Sequence, residues 1–225
     1  MDERATVEMT WAGQDFVLLP EGGLYWRQTV SVVIADPHFG KADHFRRAGV
    51  PVPGDVTAAN LRRLDAMIGR TGARRLVMLG DVLHAREGAS ETMLTQLARW
   101  RDAHAGLAIE AVRGNHDWHA GPMPASLGIV DRGDAWVEGG IVLRHEPMAD
   151  ERGRPVMAGH VHPAVWLHGV AMRSTRLACF HFAERLAVLP AFGAFTGMHP
   201  VRPRCGDRVF ALGPEGVFEV GTGAR

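Results

Sequence analysis

The chain reads as an α/β protein: a sandwich of two β-sheets flanked by helices. Three observations predict this. Strand-type and helix-type segments alternate up to residue 112, as layered α/β folds require. Beyond residue 134 the helical pattern stops and only short strand-type pieces follow, which suits a second sheet rich in antiparallel pairs. Short polar clusters also close several of the apolar runs, the place where open α/β sheets collect ligands.

Taken in order, residues 5–34 form short strands broken at Gly13 and Gly22-Gly23, ending in the buried-type run Thr29–Ile34. A helix over 55–70 starts at the N-cap Asp55 after Pro53-Gly54, with Leu61, Leu64, Met67 and Ile68 as its apolar stripe. The run Arg75–Leu79 is the next strand. A second helix over about 90–103 begins at Ser90 and turns Met93, Leu94, Leu97 and Trp100 inward. Leu107–Val112 is a third strand, and strand, helix, strand, helix, strand implies right-handed crossovers. Further strands are expected at 135–137, 140–144, 155–158, 164–168, 175–180, 186–189, 208–212 and 216–220.

No repeat or linker divides the 225 residues, so one domain spanning 1–225 is expected. Formal net charge is zero, which excludes a global field drawing the chain to nucleic acid or anionic membrane; a polyanion must be held by local patches. Of the 25 basic residues only Lys41 is a lysine, the rest being arginine. Cys179 and Cys205 form no C-x-x-C pair and nothing demands a disulfide, so a reducing compartment is the simpler reading. The charged start Met1-Asp2-Glu3-Arg4 has no apolar signal region, and no apolar run nears the roughly 20 residues that cross a bilayer. A cytoplasmic protein with no membrane partner is expected. Oligomeric state is left open.

Five clusters carry the chemistry: Asp36-Pro37-His38, Gly80-Asp81-Val82-Leu83-His84, Gly114-Asn115-His116-Asp117, the lone His145, and Gly159-His160-Val161-His162. Each has a plain structural reading as a turn, a helix cap or a strand-end histidine. As an ordered set they offer the carboxylate, amide and imidazole donors of a two-metal hydrolytic centre. Ions roughly 3.5–4 Å apart need a shared ligand, and the central carboxylate Asp81 is the candidate bridge.

These motifs, in this order, resemble the signature of the calcineurin-like metallophosphoesterases over residues 36–162, with Arg144 standing where many members have glycine. The resemblance implies a four-layer metallophosphoesterase-type β-sandwich of two mixed sheets flanked by helices. It implies one metal on Asp36, His38, Asp81 and His162, and another on Asp81, Asn115, His145 and His160. It further implies a metal-bridged hydroxide attacking phosphorus, His116 as general acid for the leaving oxygen, and Asp117 orienting the His116 ring. Two divalent ions are implied, manganese first, with iron, zinc, cobalt and nickel also suited to such donors.

Two further stretches, residues 38–54 and Leu189–Gly197, resemble the bacterial ligase-associated DNA damage response endonucleases (PdeM), with Met198 where a second glycine is usual. That kinship implies a phosphodiesterase cutting DNA in repair beside a ligase, a helicase and an exonuclease. Lys41, Arg46 and Arg47 would rim the site and hold phosphates, with His84 also reaching the substrate; a solvated basic loop is the bland alternative. A small-molecule or cyclic-nucleotide phosphodiesterase or phosphatase is the competing enzyme reading. A non-catalytic repair scaffold is the third, and it would be marked by lost ligands, whereas here every ligand position is filled.

Overall fold

The computed structural model describes residues 4–52, 54–85, 88–121, 123–168 and 174–221; Pro53 of the helix-start signal lies outside them. A meander of β1 (Val7–Trp11), β2 (Gln14–Leu18), β3 (Leu24–Trp26) and β4 (Ser31–Ala35) opens the chain. After the short α1 (Lys41–Arg47) and the longer α2 (Val56–Thr71) comes β5 (Arg75–Leu79). Then α3 (Glu91–Ala103), β6 (Ala108–Val112), α4 (Asn115–Ala120), a 3-10 turn at Ala125–Leu127 and β7 (Ile129–Asp131) complete the first sheet, in the spatial order β1 to β7. The meander is antiparallel, and β4 to β7 run parallel.

The two long helices begin where side chains can satisfy the otherwise unpaired first-turn N–H groups. Asp55 accepts from the N–H of Ala58, and Ser90 accepts from Met93. Gly72, at φ 66°, ends α2 in the left-handed conformation that glycine adopts without a Cβ clash. Leu61, Leu64 and Met67 of α2, with Met93 and Leu97 of α3, pack onto Val32, Ile34, Leu76 and Ile109 of the first sheet. Truncating a leucine as buried as Leu64 to alanine costs about 2–5 kcal/mol.

The second sheet contains β8 (Ala135–Glu138), β9 (Ile141–Arg144), β10 (Val156–Ala158), β11 (Pro163–His168), β12 (Ser174–Phe182), β13 (Leu186–Val188), β14 (His199–Pro200), β15 (Arg208–Gly213) and β16 (Gly216–Val220). It is mixed: β9, β10 and β13 are mutually parallel, while β12 pairs antiparallel with β11, β13 and β15. Strand alternation divides its residues. Ile141, Leu143 and Met157 face inward onto Val33, Val77 and Leu79, and Val142, Val156 and Ala158 form a small outer cluster. The architecture is thus two mixed sheets packed face to face, with the helical flank on the first.

Register brings the strand ends together. Ala35 pairs with Leu79 and Leu79 with Val112, so Asp36, Gly80-Asp81 and Gly114-Asn115 follow at one edge. In the other sheet Leu143 pairs with Met157 and Ala158 with Val188, which aligns His145, Gly159-His160 and the start of Leu189–Gly197. The helices α1 and α4, unlike α2 and α3, are too short to show a periodic stripe, and the sequence reading had no segment for either. Among the described residues no helix is long and apolar enough to cross a membrane.

Candidate metal centre

The polar clusters lie on tight left-handed backbone. Among the described residues seven non-glycine positions have positive φ, and five of them are Asp36, His38, Asp81, His160 and His162. Aspartate and histidine tolerate this region better than branched residues, yet each such position carries strain, which persists where surrounding structure enforces it. Here the enforcement is backbone pairing between loops. The N–H of His38 donates to Asp81 O at 2.9 Å, Phe39 N–H to Val82 O at 2.9 Å, and Gly159 N–H to His145 O at 3.0 Å.

Both carboxylates are aimed by a histidine backbone from another motif. Asp36 Oδ2 accepts from the N–H of His160 at 2.8 Å, and Asp81 Oδ1 accepts from the N–H of His116 at 2.8 Å. The remaining oxygen of Asp81, Oδ2, lies 3.7 Å from His38 Nε2 and 3.5 Å from His145 Nε2. It therefore stands between the two proposed ligand sets. His38 Nε2 and His162 Nε2 are 3.4 Å apart, and His162 Nε2 is 3.8 Å from Asp36 Oδ2.

On the other side His145 is the hub. Its Nδ1 lies 3.0 Å from Leu79 O; a carbonyl only accepts, so the ring proton sits on Nδ1 and Nε2 presents a lone pair. That lone pair faces Asn115 Oδ1 and His160 Nδ1, both at 3.0 Å. The glycines beside the ligands make room for this crowding. A Cβ on Gly80 would strike the His145 ring, one on Gly114 would strike the Asp81 carboxylate, and one on Gly159 would lie 2.6 Å from Asp36 Oδ2.

His116 projects from the first turn of α4, with Nδ1 2.9 Å from His84 O, so Nδ1 carries a proton donated to that carbonyl. Asp117 does not orient this ring, contrary to expectation. Its Oδ1 accepts from Leu83 N–H at 3.0 Å and its Oδ2 from Gly114 N–H at 2.9 Å. The physical reason is local: at the third helical position the carboxylate folds back onto the open N-terminus, and the His84 carbonyl takes the orienting place. Burial pushes the Asp117 carboxyl up to about 6, against these two hydrogen bonds.

No family model and no curated protein matches the chain. Among solved structures, the Pseudomonas putida nuclease MPE is 36% identical, with 96% of this chain and 100% of that one covered at a TM-score of 0.83. This chain belongs to the MPE nuclease family. A phosphoesterase from E. coli, Yfce, aligns with 82% of this chain and 88% of its own at 16% identity and a TM-score of 0.40, too remote to bear on either fold or chemistry.

Within this MPE-family fold the donor set fits divalent cations. Ligand atoms of Asp36, His38 and His162, and of Asp36, Asp81 and His145, cluster within 4.8 Å. Asp36 Oδ1 and His38 Nδ1 are buried without a hydrogen-bond partner, a costly state for polar atoms. Burial, then the nearby Lys41 charge, hold His38 down to about 2, so its ring is neutral and able to ligate. Burial also raises the Asp81 carboxyl, partly offset by His145. Lone pairs facing lone pairs, with buried carboxylates among them, is an arrangement a cation relieves.

The basic rim divides three ways. Lys41 opens α1 half-buried; burial lowers its ammonium, while the charges of Asp81 and Asp36 pull it back up. Arg46, expected at the substrate, turns away: it donates to Asp43 Oδ1 at 2.7 Å, to Val52 O at 3.0 Å and to Gly54 O. These bonds form because the Val52 and Gly54 carbonyls lie against the end of α1. Arg47 is exposed in the last turn of α1. His84 is held at the site, its ring 5.4 Å from His38 and 4.7 Å from His116, and burial followed by Lys41 brings it down to about 4. His44 stands 5.3 Å from His84, ring centroid to ring centroid, and no motif in the sequence marks it.

Proposed function

We propose that this chain is a divalent-metal-dependent phosphodiesterase acting as a DNA endonuclease in bacterial repair. One observation carries the reading: seven donor side chains from five segments converge at a single strand-end edge, with Asp81 Oδ2 within reach of imidazoles from both halves. Asp36, His38, Asp81 and His162 would hold one ion, and Asp81, Asn115, His145 and His160 the other. When bound, such cations supply Lewis acidity toward water and the phosphoryl oxygens.

The residues of the chain do the rest. Burial keeps His38 a neutral donor, and the Nδ1–H bond to Leu79 O aims the Nε2 of His145 into the site. His116 donates a proton from Nε2 to the leaving oxygen, which requires the doubly protonated ring because Nδ1–H is committed to His84 O. Lys41 offers its ammonium to the phosphate being cut or to the one beside it.

Membership in the family of a Pseudomonas nuclease supports a polynucleotide diester as substrate. The repair setting, alongside a ligase, a helicase and an exonuclease, rests on the resemblance of residues 38–54 and 189–197 to the ligase-associated endonucleases. To test the reading, protein stripped with a chelator is reloaded with Mn²⁺, Fe²⁺, Zn²⁺, Co²⁺ or Ni²⁺ and incubated with single-stranded and nicked DNA. Internal cleavage with Mn²⁺ is expected; no cleavage with any of the five metals sinks it. Faster turnover of p-nitrophenyl phosphate than of bis-p-nitrophenyl phosphate would move the reading to a phosphatase.

A further inference from the structure

The Leu189–Gly197 stretch has an anchored half and an exposed half. Its anchored half docks on the Asp36 loop: Phe192 N–H donates to Ala35 O at 2.7 Å and Gly193 N–H to Asp36 O at 3.1 Å. A Cβ on Gly193 would lie 2.7 Å from Pro37 O, so only glycine permits this approach. Phe192 is fully buried, with the Arg63 guanidinium 4.2 Å over its ring and bonded to its carbonyl at 2.7 Å. Phe192 thus fills the core. Phe195, three residues on, does not: the next N–H, of Ala194, is pinned to Asn60 Oδ1 at 3.2 Å, and the Phe195 ring is left 39% exposed.

That ring ends a row of aromatic faces beginning at the proposed acid. His84 stacks on His116 with centroids 4.7 Å apart and planes at 26°. Phe45 lies near-parallel to His84 at 6.3 Å and 22°, and Phe195 meets Phe45 edge-to-face at 5.5 Å. Phe45 and Lys41 stand four residues apart on α1 and so share one helix face, which sets a cation beside the Phe45 ring. Aromatic faces beside a cation that grips phosphate are the means by which proteins hold an unpaired nucleotide, and any base can stack on them.

We propose that Phe45 and Phe195 form a base-stacking subsite receiving the nucleobase on the leaving-group side of the cut phosphodiester. This rests on the phosphodiesterase reading with His116 as the acid, since the row of rings starts where the leaving oxygen is protonated. The subsite accepts all four bases, and it positions the leaving nucleoside so that its oxygen meets His116 Nε2.

The test uses a thymidine hexamer whose central linkage is the only phosphodiester, the others being methylphosphonate. Two analogues each lack the base on one side of that linkage. The product without a phosphate identifies the leaving nucleoside. In the Mn²⁺-loaded wild type, removing the leaving-side base should lower kcat/KM about tenfold, the range of base–aromatic stacking. In Phe195→Ala the same removal should change kcat/KM by less than about twofold, while Phe195→Tyr keeps the wild-type response. Phe195→Leu preserves apolar bulk against Phe45 and guards against a folding defect; it should lose the response too. An undiminished base effect in the Ala or Leu variant overturns the subsite. Failure of the wild type to turn over the base-free diester bis-p-nitrophenyl phosphate overturns the phosphodiesterase reading, and the subsite with it, so the two failures are told apart.

Discussion

The backbone N–H of His116 donates to Asp81 Oδ1 at 2.8 Å. This single bond ties the proposed acid to the proposed bridging carboxylate and leaves Asp81 Oδ2 facing His38 and His145. The matching bond from His160 N–H to Asp36 Oδ2 treats the other carboxylate alike. Each motif thus orients a ligand belonging to another.

Asp81→Asn keeps the shape and the oxygen that accepts from His116, and removes the charge. Loss of an orienting partner alone costs roughly 10–100-fold in affinity or activity, and loss of a shared ligand should exceed that. Elemental analysis after gel filtration should find less bound metal, alongside turnover of bis-p-nitrophenyl phosphate reduced by more than about 100-fold. Full metal content with normal turnover would show that Asp81 is no bridge.

Gly114→Ala is a sharper probe, because Gly114 has φ −102° and its backbone suits alanine. The added methyl meets both the Asp81 carboxylate and the Asp81 backbone nitrogen. The variant should lose metal and turnover as Asp81→Asn does, with a lowered melting temperature because the Asp81 backbone must shift too. Unchanged metal content would mean the carboxylate has room to move aside.

His116→Ala should retain its metal and slow the cleavage of poor leaving groups most. General acids contribute roughly 10²–10⁴-fold, and p-nitrophenolate needs little protonation. Cleavage of DNA should therefore fall far more than cleavage of bis-p-nitrophenyl phosphate. Equal loss on both substrates would remove His116 from the acid role.

Lys41 and Arg46 should separate cleanly in a salt titration of DNA binding. Lys41→Met should reduce the slope of log K against log salt by about 1, as expected for one lost phosphate contact. Arg46→Gln should leave that slope alone and lower thermal stability, because its donors hold the Asp43 carboxylate and the Val52 and Gly54 carbonyls. A slope change in Arg46→Gln alone would reverse the assignment.

The two thiols should differ in reactivity. Cys179 is buried on β12 and burial pushes its thiol up to about 12, whereas Cys205 is exposed; both are free. At pH 8 a thiol reagent should modify one cysteine in the folded protein and two in denaturant. Two fast-reacting thiols without denaturant would contradict this packing.

What the sequence made legible follows from short-range physics. Runs such as Ser31–Ala35 and Arg75–Leu79 are apolar enough to read as buried strands, and the cap residues Asp55 and Ser90 mark their helices one residue before they begin. Polar clusters after such runs had to emerge at strand ends, hence the convergence. Less was legible where the partner is a backbone atom far along the chain. The His84 carbonyl that holds His116 has no side-chain signature, and neither does the Leu83 N–H that claims Asp117. Arg46 looked like a phosphate ligand because nothing local announced that Val52 and Gly54 would turn their carbonyls toward it. The helices α1 and α4 were too short to show periodicity, so the placement of Lys41 and Phe45 on one face went unseen.

The left-handed backbone at Asp36, His38, Asp81, His160 and His162 has an evolutionary corollary. Glycine relaxes such a conformation by about 1 kcal/mol where no hydrogen bond is lost, so the scaffold gains robustness by giving up the groups that make it useful. Laboratory selection for heat resistance alone would drift toward inert variants, with positions such as His162 among the first to go. A screen that demands activity as well as survival is what would keep those histidines in place.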